Sequence, residues 1–501
     1  MTRRRLRSLL PLLLVVLVAR EARPVPPPPA TTDPVRDADG GADSRRAAEL
    51  SKRAVGHIAE GKWAEAEANI EQALQIVPDD PVNLYNLACV RARLGKGEAA
   101  VESLERAAAA GFADFGLIAG DPDLESVRLL PRFKKFVAEK DRWQRLAANR
   151  LLAGLKAQFG EGKGYVYDLD EEQKIVFAAH LEPAALGALN QSLAAQAKGL
   201  RRDLFGGEPQ AYLRLVVPSP SDYRKIMRLR GVGGAYHPAS RTLVAERPGE
   251  VIRHEFTHAL HHNDRTASGQ EHAAWVVEGL GVLYESVGTD AEGAVVPDGR
   301  NRRLVVAQAA AHRRSLVPLA RLMKMPADEL LRRPNLTYAQ SGALMLYLYE
   351  RGVLRTFYDQ YKKGLKEDPA GERALVAAAG KKSLGEVEAA FSKWLMDAPP
   401  PAEPVRIGGH AAFLGLALGP AEGGLAVTAV AQGGPAESAG VEAGDMVIEV
   451  NGKPVPDYAA LRPAIGTYSP GRTITLRVLR GEQYLNLPVK LPDSPRPRAA
   501  Q

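Results

Sequence analysis

The stretch VIRHEFTHALHH, residues 251–262, places Val251, Ile252, Phe256, Ala259 and Leu260 on one apolar face of a helix and leaves a polar stripe beside it. Positions four apart lie one above the other on a helix, so His254 and His258 can present two imidazoles to one metal ion. Glu255 stands one step round, where its carboxylate reaches a water that the metal activates. Six of the ten histidines, His237, His254, His258, His261, His262 and His272, fall within residues 237–272. The single cysteine, Cys89, excludes an intrachain disulfide and any cysteine-built zinc site, so a metal must be held by histidine and carboxylate.

The pattern is HExxH, the zinc-peptidase signature, in which neutral imidazoles hold Zn2+ and the intervening carboxylate accepts a proton from water. Two ligands leave zinc short, because a catalytic site takes three protein ligands and keeps one position open. Glu278 lies 20 residues beyond His258, in WVVEGLGVLYE (275–285). That segment is a second helical pattern with Trp275, Leu280, Val282, Leu283 and Tyr284 as packing candidates. The arrangement resembles the gluzincin branch of the peptidase MA-like zinc metallopeptidases, over about residues 164–395. The resemblance implies one Zn2+ ion with His254, His258 and Glu278 as ligands and Glu255 as general base. A metzincin would need a glycine and a further ligand where this chain has His261 and Asp264. His261 and His262 are therefore expected as partly exposed helix-end residues, where a cation suits the dipole. His237 and His272 are expected to border the cleft at most. Glu285, seven residues after Glu278, is expected on the same helix face, holding a ligand imidazole by its second nitrogen. The family more often places that carboxylate where Val282 stands.

Peptide hydrolysis also needs a donor for the developing oxyanion. The segment LTYAQSGALMLYLYE, residues 336–350, resembles the helix that follows the site in this family, and Tyr338 is the candidate donor. Tyr347 and Tyr349 are two residues apart and cannot share a helix face. Upstream, β-rich runs at 164–176 and 210–217 flank a helical stretch at 183–203. Residues 233–236 and 242–245 read as a turn feeding an edge strand beside the active helix, where an extended substrate would pair.

Gly61 and Gly95, Ala66 and Ala100, and Ala73 and Ala107 are each 34 residues apart, the period of tetratricopeptide repeats. The resemblance to that family covers residues 43–140, with a degenerate third unit at 121–136. It implies a concave face for a peptide or partner protein, and Cys89 is read as a small core residue. After APPPAEP at 398–404, Gly-rich turns and short β-runs begin. Residues 405–492 resemble a PDZ domain of the bacterial protease-associated type, carried by AGVEAGDMVIEVNGKPV at 439–455. By that resemblance Phe413, Leu414, Gly415 and Leu416 form the carboxylate-binding loop, with a peptide C-terminus as ligand.

The chain has 501 residues, 45% hydrophobic and 25% charged, too long for one core and too polar for a multispanning membrane protein. A net charge of +7 owes much to Arg3, Arg4, Arg5 and Arg7, and no basic block interleaved with aromatics points to nucleic acid. Those arginines precede an apolar run from Leu9 to Ala19, which reads as an export signal or short anchor over 1–22. Membrane contact is expected only if that segment is uncleaved. Residues 23–42 read as a disordered linker, 43–140 as repeats, 141–397 as the metallopeptidase domain, 398–404 as a Pro-rich linker, 405–492 as PDZ and 493–501 as a disordered tail. The expected fold is multidomain α+β, combining helical repeats, an α+β zincin-like domain and a small, mostly β module. The expected activity is that of an exported zinc endopeptidase of the periplasm or cell envelope, or one that is secreted. The competing reading is a catalytically silent envelope adaptor that binds partners through both flanking modules.

Overall fold

Strand Ile175–Ala179 is buried on both faces, and its alternate side chains enter two different cores. Ile175 and Phe177 point to one side of a five-stranded sheet, Val176 and Ala178 to the other, as the twofold period of a strand requires. The computed structural model describes residues 42–207, 209, 211–227, 233–238, 240–298, 302–330, 334–397, 414–421, 423–466 and 471–492. The readings of residues 1–22, 398–404, 493–501 and Phe413 lie outside them, as does that of residues 23–42 except for its last position, which already opens a helix.

Four helices come first: α1 (Ala42–Ala59), α2 (Trp63–Ile76), α3 (Pro81–Arg93) and α4 (Gly97–Ala109). Gly61 and Gly95 close α1 and α3 with φ of 72° and 73°, a left-handed conformation that favours glycine. Asp80 caps α3 by accepting from the Asn83 N–H at 2.8 Å, with Pro81 at the first helical position. Ala66, Ala73 and Ala100 have no exposed surface and Ala107 has 1%, so the 34-residue spacing recurs as two like-built helical hairpins. The next stretch departs from that pattern. It comprises α5 (Phe115–Gly120), a 3-10 turn at Pro122–Val127 and α6 (Pro131–Ala138). Arg241 joins this block to the sheet by donating to Asp114 and to Asn263.

The sheet order is β1-β2-β3-β5-β4, with β1 (Val166–Asp170), β2 (Ile175–Ala179), β3 (Leu213–Val217), β4 (Gly234–His237) and β5 (Thr242–Ala245). β2, β3 and β5 run parallel, and β4 is an antiparallel edge strand. Helix α7 (Lys140–Phe159) covers one face with Ala148, Leu155 and Phe159. The other face receives α8 (Pro183–Asp203), whose Pro183 sits in the first turn, where no N–H is missed. The short α9 (Pro220–Ile226) follows β3, and α10 (Glu250–Ala267) lies beside α8 with Ile252 and Phe256 in the same core.

Helix α11 (Ala274–Leu283) then crosses to the site, followed by the hairpin β6 (Val287–Thr289) and β7 (Val295–Pro297). Helices α12 (Arg302–His312), α13 (Leu319–Leu322), α14 (Ala327–Leu330), α15 (Pro334–Glu350), α16 (Leu354–Gly364), α17 (Glu372–Ala378) and α18 (Leu384–Asp397) complete this part. α11 and α15 approach closely because both carry glycine at the crossing. A Cβ on Gly342 would stand 2.1 Å from Val282 Cγ1, and one on Gly279 2.9 Å from the Ser341 carbonyl oxygen.

The C-terminal sheet has the order β13-β12-β10-β9-β8, with β11 paired to β10. Its strands are β8 (Leu416–Ala421), β9 (Gly424–Val430), β10 (Met446–Val450), β11 (Lys453–Pro454), β12 (Thr473–Arg480) and β13 (Gln483–Lys490), with α19 (Pro435–Ser438) and α20 (Tyr458–Gly466) between them. One face builds its own core from residues such as Leu425, Val427, Leu461 and Leu476. The other face sets Met446, Ile448 and Leu479 against Val251 in the first turn of α10. Among the described residues, no helix is long and apolar enough to cross a membrane.

Candidate metal centre

Helix α10 stacks His254 and His258 one turn apart, with ring centroids 4.5 Å apart and planes at 87°. α11 brings Glu278 against both: its Oε2 lies 3.3 Å from His254 Nε2 and 3.5 Å from His258 Nε2. Ligands bound at about 2.0–2.2 Å in a tetrahedron stand roughly 3.4 Å from one another, which both carboxylate–imidazole distances match, and the donor atoms of all three residues lie within 4.8 Å of one another. Burial works to raise the Glu278 carboxyl, yet the His258 and His254 imidazoles overcome it and hold it well below its usual range. The donor chemistry, two imidazoles with converging carboxylates in a buried space, fits a divalent cation.

Gly281 makes room for the first imidazole, since a Cβ there would lie 2.7 Å from His254 Nε2. Gly281→Ala is therefore expected to push the ring away from Glu278 and weaken the uptake of added Zn2+ by about 10–100-fold. Competition with a chelator of known affinity reads this directly, and an unchanged affinity would mean that the ring has slack.

Orientation of His254 comes from its other nitrogen. Nδ1 lies 2.9 Å from Glu285 Oε1, and Arg303 holds both Glu285 oxygens at 2.6 Å. Arg253 donates to the Glu285 carbonyl oxygen at 2.6 Å and 3.0 Å, so the backbone is fixed as well. Glu285 meets the imidazole as expected, though not from the face of Glu278's helix: α11 ends at Leu283, and Glu285 reaches back from beyond it. The Tyr338 ring stacks on His254 at 6.0 Å and 12°, and the Arg303 guanidinium caps the Tyr338 ring at 5.1 Å. Glu255 is 4% exposed and accepts a hydrogen bond from the Tyr236 N–H of edge strand β4 at 2.7 Å.

Contrary to expectation, His261 and His262 do not sit at a helix end, since α10 continues to Ala267, whereas His272 borders the cavity beside Glu278. His261 is 1% exposed, stacks on Phe205 at 5.3 Å, and places Nε2 2.7 Å from His272 Nδ1. Burial pushes His261 and His262 well below the usual histidine range and His272 down to about 3, so none is the cation that a helix end would favour. His237 closes β4 opposite Thr242. Asp264 accepts from the Tyr358 hydroxyl at 2.7 Å and Lys362 Nζ at 2.6 Å. A cavity of about 560 Å³ opens beside Glu278, with His272 and Arg265 on its polar side and Val277, Met323 and Met325 among its apolar walls.

Glu482, in the turn between β12 and β13, also enters the centre. Its Oε1 lies 3.1 Å from His254 Nε2, and Glu482, His254 and Glu255 offer donor atoms all within 4.8 Å of one another. Among the described residues, Oε1 is buried without a hydrogen-bond partner. Burial raises Glu482 to about 7; the His254 imidazole opposes this, and the Glu255 and Glu278 carboxylates add to it. No sequence pattern marks this residue, because RGEQY reads as an ordinary hairpin turn.

In the small C-terminal sheet, β8 is an edge strand. Leu414 is buried, Gly415 has φ of 75°, and Leu416 opens β8. The Tyr458 hydroxyl of α20 donates to the Leu418 carbonyl oxygen.

Residues 412–491 match the family model of the PDZ domain. The chain is 35% identical over 95 residues to a probable periplasmic serine endoprotease DegP-like protein of Chlamydia muridarum, covering 17% of this chain and 19% of that one. It is 38% identical over 74 residues to the periplasmic serine endoprotease DegP of Escherichia coli, covering 15% and 16%. The chain thus spans less than a fifth of the length of these curated relatives. An aminopeptidase N family protein from Idiomarina loihiensis aligns with 66% of this chain and 67% of its own at 13% identity, with a TM-score of 0.30, too loose a likeness to carry an argument.

Proposed function

We propose that this chain is an exported zinc-dependent endopeptidase whose helical repeats and PDZ module recruit protein or peptide substrates. The supporting observation is the convergence of His254 Nε2, His258 Nε2 and Glu278 Oε2 at ligand spacing. One Zn2+ ion held by these residues would supply Lewis acidity toward water and the scissile carbonyl. Glu255, oriented by the Tyr236 N–H, takes the proton of the attacking water and returns it to the leaving amine. Tyr338, its ring fixed between His254 and Arg303, donates its phenol hydrogen bond to the oxyanion. The substrate lies extended along the open edge of β4, with an apolar side chain in the cavity beside Glu278.

Leu414, Gly415 and Leu416 receive a peptide C-terminus with β8 as the pairing edge, which requires the Tyr458 hydroxyl to yield Leu418. The two like-built hairpins support reading residues 43–140 as tetratricopeptide repeats with a partner-binding face. The basic and apolar start at 1–22 and the periplasmic description of the PDZ relatives support export to the periplasm or cell envelope. The adaptor reading draws on one observation, the carboxylate of Glu482 standing in the centre.

Metal analysis of the purified full chain is expected to give one zinc per chain, lost in His258→Ala, together with chelator-sensitive cleavage of a quenched peptide library. A chain that takes up no zinc, or whose zinc is indifferent to His258→Ala, overturns the metal centre. Zinc-loaded chain that cleaves nothing, with or without Glu482, supports the adaptor.

A further inference from the structure

We propose that Glu482 is a removable additional donor to the metal centre, carried in by the PDZ module, and that the β12–β13 hairpin holds the cleft closed until it is displaced. This rests on the zinc-peptidase reading above and concerns the regulation of that same centre.

Three observations place the hairpin where substrate belongs. First, the Glu482 carboxylate meets His254 Nε2 at 3.1 Å, the nitrogen turned toward Glu278 rather than toward Glu285. Second, its carboxylate has a donor atom within 4.8 Å of one on Glu255, on the side of the centre that Glu255 faces. Third, the Glu482 carbonyl oxygen accepts from the Gly233 N–H, at the start of edge strand β4. One residue therefore sets its side chain against the centre and its main chain against the start of β4. A Cβ on Gly233 would already stand 3.2 Å from that carbonyl oxygen, which leaves no space for a second chain between them.

The hairpin is held by contacts of modest strength. Arg477 pairs with Glu246 at 2.8 Å, and the Arg247 Nε–H donates to the Tyr484 hydroxyl at 3.1 Å. Both guanidiniums lie over the Tyr484 ring, Arg477 at 4.7 Å and Arg247 at 5.3 Å. The apolar part sets Met446, Ile448 and Leu479, with Ala421 and Tyr484 beside them, against Val251, and away from the hairpin, Asn335 donates to Glu442 at 3.2 Å. Interfaces of this polar kind between domains of one chain commonly open and close. Apart from the His254 ring at 3.1 Å, Oε1 has no hydrogen-bond partner among the described residues, so a cation would add a favourable interaction that it lacks.

The test uses the full chain and two readouts: zinc affinity by chelator competition, and binding of a fluorescent peptide hydroxamate that needs both the metal and an accessible cleft. Glu482→Ala is expected to weaken zinc binding at least about tenfold, while the zinc-loaded variant binds the hydroxamate at least about tenfold more tightly and cleaves peptide faster. Glu482→Gln, which keeps the shape of the hairpin, should move in the same direction. Arg477→Ala leaves Glu482 intact but loosens the docking, and should also tighten hydroxamate binding. Zinc and hydroxamate affinities within twofold of wild type in all three variants would overturn the proposal and leave the three-ligand centre standing. Wild-type chain that holds no zinc would instead overturn the reading beneath it.

Discussion

Glu255→Gln is expected to lower kcat on a cleavable peptide by roughly 10²–10⁴-fold, the range for loss of a positioned general base, while zinc content stays at wild-type level. The amide has the size of the carboxylate, and its oxygen can still accept from the Tyr236 N–H, which holds the native side chain at 2.7 Å. What it lacks is the capacity to take a proton from the attacking water. Because Glu255 is 4% exposed, bulk solvent has little access to replace it. The measurement is best made in the Glu482→Ala background, so that an open cleft is compared with an open cleft. A variant that keeps both its metal and its rate would remove Glu255 from the mechanism.

The second large effect is on stability. Arg303→Met is expected to destabilise the fold by about 3–5 kcal/mol, because it removes the guanidinium that meets both oxygens of the buried Glu285 carboxylate. Arg303 is 1% exposed and Glu285 2%, and the guanidinium holds both carboxylate oxygens at 2.6 Å. The same change removes one tether of the carboxylate that meets His254 Nδ1 and the group capping Tyr338, so zinc affinity should fall in step. Arg303→Lys keeps the charge without the planar fork and should recover only part of the loss. Urea unfolding of the metal-free chain separates the stability effect from the metal effect. A loss below about 1 kcal/mol would show that Glu285 is satisfied by other groups.

Much of the centre was legible because its first half is local. The spacing of His254 and His258 needs only a helix to stack their rings, and the apolar residues between them make that helix amphipathic. Bringing Glu278 beside them required the resemblance to a known family, since a partner on another helix leaves no periodic trace of its own. α8 was legible at Pro183–Asp203 with the same bounds, helped by the proline at its start. The burial of His261 and His272 was not. Helical position alone does not tell that Phe205 and Tyr358 close over them, leaving two neutral imidazoles hydrogen-bonded to each other. Nor was the contact between the C-terminal module and α10 legible, where Met446, Ile448 and Leu479 pack on Val251. Those residues alternate with the module's own core positions, and a strand pattern does not say what covers its second face.

By itself, then, the sequence determined which residues share a helix face, where chain direction reverses, and that any metal must be bound by histidine and carboxylate, since backbone hydrogen bonding sets those relations over a few residues. Only the tertiary structure decided that Glu285 orients His254 from beyond the end of α11, that Arg303 balances it, and that Glu482 arrives from the far end of the chain. Such meetings depend on how whole elements pack, through side-chain volumes and close crossings such as Gly342 on Val282, and no short stretch of sequence encodes them.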